Sequence, residues 1–154
     1  MQNAEAKKKT AETLNNKGVI AVRNNDLALA QTLFEDAKSN GADEGNNLGI
    51  LNIRTGNYKM ALEYFGTKCS FNVALAELLS GNTEQAVQKL DCADKSAATD
   101  YLNAIIGART GNTAMITTNL KNAISKDASY RREAIADMEF AKYWETQEFK
   151  NAIQ

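Results

Sequence analysis

The chain has 154 residues, of which 44% are hydrophobic and 24% charged, enough for one ordinary domain with a real core. Its formal net charge of −1 gives no global field toward nucleic acid or an anionic membrane. It contains no histidine, which removes the commonest metal ligand and general base, and no proline, which fits an almost continuous helical array.

The N-terminus runs from Met1 straight into polar residues, with no signal peptide visible, and no stretch approaches the ~20 apolar residues that span a bilayer. The chain is therefore expected to be either cytoplasmic or a segment of a longer exported protein. The basic run Lys7, Lys8 and Lys9 reads as a solvated helix start.

Residues 23–27 form a first elbow, with Asn25 in a glycine's place and Asp26 as the cap of the next helix. The sequence Arg-Thr-Gly-Asn follows at 54–57 and recurs at 109–112, with Leu-Ser-Gly-Asn at 79–82 between them. In each, arginine or leucine closes a helix, glycine supplies the left-handed residue, and asparagine starts the next helix. The motif spells stop, turn, start: the elbow of a helical hairpin.

Registered on these elbows, the chain repeats one pattern. Gly18, Gly49, Ala74 and Ala104 lie seven residues before Asn25, Gly56, Gly81 and Gly111. After the elbows come Ala30, Ala61, Ala86 and Ile116, then Phe34, Phe65, Leu90 and Leu120, then Ala37, Lys68, Ala93 and Ala123. Small residues let two helices approach, and the large one fills the gap to its neighbour. The second hairpin is expected to end early, near Gly66. Beyond Asp127 the pattern breaks: Ala134, Met138, Ala141 and Trp144 lie at helical spacing, followed by Phe149 and Ile153 in a short second piece. This reads as a capping helix anchored by Trp144.

The register resembles the tetratricopeptide repeat over residues 11–126, about four units, through Gly18, Ala30, Phe34 and Ala37, and then Gly49, Gly56, Tyr58, Ala61 and Phe65. The departures are elbow spacings of 31, 25 and 30 residues against the family's ~34, the missing helix-A tryptophan and the missing closing proline. The resemblance implies an all-α helical-hairpin solenoid in a single domain over 1–154, with 127–154 as the capping helix and short tail. The stretches 70–82 and 138–149 are also similar to repeat segments of large Bacteroidetes cell-envelope proteins, some of which carry peptidoglycan-binding domains. That similarity implies a periplasmic arm of a larger protein.

No nucleotide-binding, hydrolase or metalloprotease motif is present, and the chain is expected not to be an enzyme and to hold no cofactor or metal. Carboxylate pairs such as Asp43 and Glu44 fall in expected loops and should be solvated. Cys69 and Cys92 each lie about 12 residues from Gly81, at the open end of one hairpin. A disulfide is conceivable there, although two packed thiols are the favoured reading.

Arrays of this type bind along the face lined by the first helix of each hairpin. Arg23, Arg54 and Arg109 hold equivalent places there, as do Asn16, Asn47 and Asn72. Together they form a candidate ladder of amides for a peptide backbone and guanidiniums for carboxylates. Helix chemistry alone also explains arginines in last turns. The family's carboxylate clamp is not expected, because its five places hold Asn15, Val19, Asn47, Lys68 and Asn72, only two of which match. The leading expectation is a monomeric module that binds a protein or peptide, with no nucleic acid and no membrane insertion. The alternative is an architectural spacer in a cell-envelope protein.

Overall fold

In the computed structural model, which describes residues 3–154, the protein is all-α. Ten α-helices, one 3-10 turn and no strand occur among the described residues. None of these helices is long and apolar enough to cross a membrane. The chain divides into two compact units, Met1–Lys68 and Cys69–Gln154.

The first unit is two hairpins: α1 (Ala4–Arg23) with α2 (Leu27–Ser39), and α3 (Gly45–Arg54) with α4 (Tyr58–Phe65). Lys7, Lys8 and Lys9 are exposed in the early turns of α1, as solvated charges should be. The first elbow forms as the sequence predicts: Asn25 adopts a left-handed φ of 59°, and the Asp26 carboxylate accepts from Leu29 N at 3.1 Å. Gly56 does the same work between α3 and α4 with φ 79°, and Gly66, at φ 69°, ends α4 after only 8 residues. The small-large pairing is direct. The rings of Phe34 and Phe65 lie flush against the backbones of Gly18 and Gly49, where any Cβ would collide with them. Ala21, Ala30, Leu48 and Leu51 complete this core, and the second hairpin packs on the first through α2 and α3.

The second unit holds the hairpins α5 (Phe71–Leu79) with α6 (Thr83–Asp91) and α7 (Ala97–Thr110) with α8 (Thr113–Lys126). Ser96 and Thr99 form a reciprocal capping box that starts α7. Ala74, Ala86 and Leu90 pack with Leu102 and Ile106, while Ala104, Ile116, Leu120 and Ala123 join a second cluster with the C-terminal segment. Cys69 and Cys92 are joined by a disulfide with a Cα–Cα separation of 5.5 Å, so the favoured reading of two packed thiols is overturned. The physical reason is the near-equal arms of the hairpin, which bring both residues to its open end within bonding reach.

The C-terminal segment also departs from expectation. The stripe from Ala134 to Trp144 does not form one helix: α9 (Tyr130–Ala136) stops, a 3-10 turn covers Met138–Phe140, and α10 (Gln147–Ala152) closes the chain. Asp137 breaks the helix. Its backbone is extended, and its carboxylate accepts from Glu139 N at 3.0 Å and from the Tyr101 hydroxyl at 2.9 Å. That local capping competes successfully with continued helix. Met138 is consequently 74% exposed, and the buried anchors are Phe140 and Phe149. Trp144 is half-buried and donates to Ala134 O at 3.1 Å. Burial first, and then the Asp137 hydrogen bond, hold the Tyr101 hydroxyl far above its ordinary range.

Candidate functional site

The first helices of the two hairpins in the first unit, α1 and α3, carry facing stripes. On α1 the residues at 8, 12, 15, 19 and 22 follow helical spacing along one face. On α3, Asn47, Ile50 and Arg54 do the same. Between them runs a small groove of about 160 Å³, lined by Val19, Val22, Asn47, Ile50, Leu51 and Arg54, with Phe34 also at its wall. It is an apolar trough with one amide and one guanidinium. Arg54 Nη2 reaches Asn25 Oδ1 at 3.4 Å, a long, exposed contact that leaves most of its donors to solvent.

Beside the groove lies a second feature that sequence reasoning placed in solvent. Glu44 is only 3% exposed, so the expectation of a solvated carboxylate is corrected. It occupies the N-cap place of α3, where the helix dipole favours an anion. Asn47 Nδ2 donates to its Oε2 at 2.8 Å. The Asn15 amide is 3.0 Å from Asn47 Nδ2. With its nitrogen turned toward the carboxylate, it donates to both Glu44 oxygens at 3.2 and 3.3 Å. A pocket of about 460 Å³ opens against Glu44, between α1 and the turn at 40–44.

The predicted ladder is therefore distributed unevenly. Asn47 and Arg54 come together at the groove. Asn16 is exposed, and the neighbouring Asn15 is the residue that meets Asn47. Arg23 is exposed at the end of α1 and is not part of the groove lining. Asn72 is half-buried in the first turn of α5, in the second unit. Arg109, also in the second unit, is engaged by its own chain: its Nε donates to Glu139 Oε2 at 3.0 Å and its Nη2 to Oε1, a bidentate pair. The hydrogen bonds from Arg109 hold the Glu139 carboxyl below its usual value, with burial opposing, and the same bonds raise Arg109.

Sequence reasoning named Asn15 and Val19 only as places of the rejected carboxylate clamp, and it missed Val22, Glu44 and Ile50 as site residues. The α1 stripe at 8, 12, 15, 19 and 22 was the signal that could have joined Asn15, Val19 and Val22. Among the described residues, no group of three or more cysteine, aspartate or glutamate side chains is placed to hold a metal ion. No family model, curated protein or solved structure matches the chain.

Proposed function

We propose that the chain is a short solenoid of tetratricopeptide type that acts without catalysis, holding a peptide or a segment of another protein against α1 and α3. The observation that carries this reading is the groove itself: an apolar trough at Val19, Val22 and Ile50 flanked by the Asn47 amide and the exposed Arg54. Apolar side chains of an extended segment would fill the trough, and Arg54 would take a carboxylate from it. The repeat register supports the same reading through the Phe34–Gly18 and Phe65–Gly49 contacts.

The test is selection from a random displayed-peptide library, run on the wild type, Arg54→Glu and Ile50→Arg, with Arg109→Glu, in the second unit, as a control. Enriched peptides should bind the first two variants at least about tenfold more weakly, the usual scale for a lost charge pair or anchor. They should bind the Arg109 variant unchanged. A wild type that enriches nothing, or peptides indifferent to both groove substitutions, would reject the binding module.

A second reading is favoured by two specific observations. Arg109 spends its fork on Glu139, and the Cys69–Cys92 disulfide is a feature of oxidising compartments. In that reading the chain is a structural spacer of an exported, cell-envelope protein. Failure of the peptide selection, with the disulfide intact in protein taken from cells with thiols blocked, would favour it.

A further inference from the structure

A buried carboxylate with no cationic partner is an unusual thing to keep. Charges taken out of water are normally paired, because the helix dipole and neutral amides supply only part of the lost solvation. Glu44 has the N-terminus of α3 and the amides of Asn15 and Asn47 around it. Among the described residues, no lysine or arginine forms an ion pair with it, although three such pairs form elsewhere. A carboxylate has about four acceptor sites, and these amides do not use them all.

The pocket at Glu44 has a matching shape. Its walls are mostly apolar, with Ala4 and Ala11 on α1 and Ala42 on the turn among the lining residues, and Glu44 is one of them. The exposed side chains of Lys8 and Glu12 also line it. An apolar passage meeting one buried anion is complementary to a short alkyl chain that ends in a cation. We propose that this pocket binds an aliphatic ammonium, with the alkyl stem against the alanines and the ammonium hydrogen-bonded to Glu44. The ammonium can come from a lysine side chain of a partner or from a free diamine. The site is separate from the α1–α3 groove and stands whether or not that groove holds a peptide.

The probe is n-butylammonium chloride, titrated into the intact protein, with the side-chain amide signals of Asn15 and Asn47 followed by NMR. Saturable shifts are expected with n-butylammonium and not with n-butanol, which has the stem without the charge. Glu44→Gln should weaken the response by at least about tenfold, the scale of one charge-assisted hydrogen bond. Lys8→Glu, an exposed change that leaves the fold intact, should tighten it by about threefold or more through simple charge attraction. This second variant carries the test if Glu44→Gln does not fold. No saturation in the wild type by about 100 mM, which is the weak limit for a single contact, would overturn the proposal. So would an equal response to n-butanol, an unchanged response in Glu44→Gln, or no tightening in Lys8→Glu. A comparison of N-acetyl-lysine methylamide with 1,4-diaminobutane then identifies the source: the tighter of the two names it. A peptide selection that fails while butylammonium binds would reject the peptide reading and leave this one standing.

Discussion

Gly49 shows how a single residue sets the approach of two helices. Its missing side chain is the space occupied by the Phe65 ring. Glycine inside a helix normally costs about 1 kcal/mol relative to alanine. Here the sign reverses, because an added methyl must displace a buried ring. Gly49→Ala should destabilise the first unit by about 1–3 kcal/mol, the range for overpacking, and chemical denaturation would read it. A stabilised variant would mean that the ring moves aside freely. Glu139 acts at the same scale through charge. Its carboxyl is held below the ordinary value by Arg109, so it stabilises the fold above the unfolded value of 4.5. That contribution is lost as pH falls through the lower, folded value. Both side chains are roughly a third exposed, so the gain is at most about 1 kcal/mol and is screened by salt. Between pH 5 and pH 3 the wild-type Tm should fall further than that of Glu139→Gln; parallel profiles would count against the pair.

At the scale of elements, the third hairpin is the informative one. Its helices α5 and α6 have 9 residues each, too few to be stable alone. The disulfide closes the loop between Cys69 and Cys92, a separation of 23 residues. Chain-entropy arguments give such a closure about 3 kcal/mol of stabilisation. Cys69→Ser with Cys92→Ser should therefore lower the unfolding free energy by that order, and reduction of the wild type should reproduce the loss. The elbows at this scale were legible in advance. Asn25, Gly56, Gly81 and Gly111 all have positive φ, because a four-residue turn is a local code that needs no distant partner. The early end of α4 at Gly66 was legible for the same reason. The break at Asp137 was not. The apolar spacing through Met138 argued for helix, and the competing cap depends on Tyr101, 36 residues away.

For the whole molecule, each unit has its own apolar core, the first around Phe34 and Leu48, the second around Leu90, Ile106, Phe140 and Phe149. A unit with its own core can fold alone. The fragment 69–154, kept oxidised, should show helical circular dichroism and a cooperative melt; a random-coil spectrum would contradict the division. The candidate site was only half readable from sequence. Asn47 and Arg54 were found because they hold repeat-equivalent places. Glu44 was missed because an acidic residue beside glycine in a short turn reads as solvated, and its burial depends on Asn15, which α1 delivers from 29 residues earlier. The equal arms about Gly81 put Cys69 and Cys92 within reach of each other in the sequence, yet packed thiols were the favoured reading, because proximity alone does not distinguish two thiols from a bond.

The covalent closure of that hairpin has a consequence for a cut chain. The Gly81 elbow is exposed, and it lies inside the ring that the disulfide closes. A protease that nicks the elbow opens the ring without separating the pieces. The nicked protein should migrate as one species on a non-reducing gel and as two after thiol treatment. The two helices of the hairpin would remain held side by side, so a severed backbone at this position need not mean a lost fold.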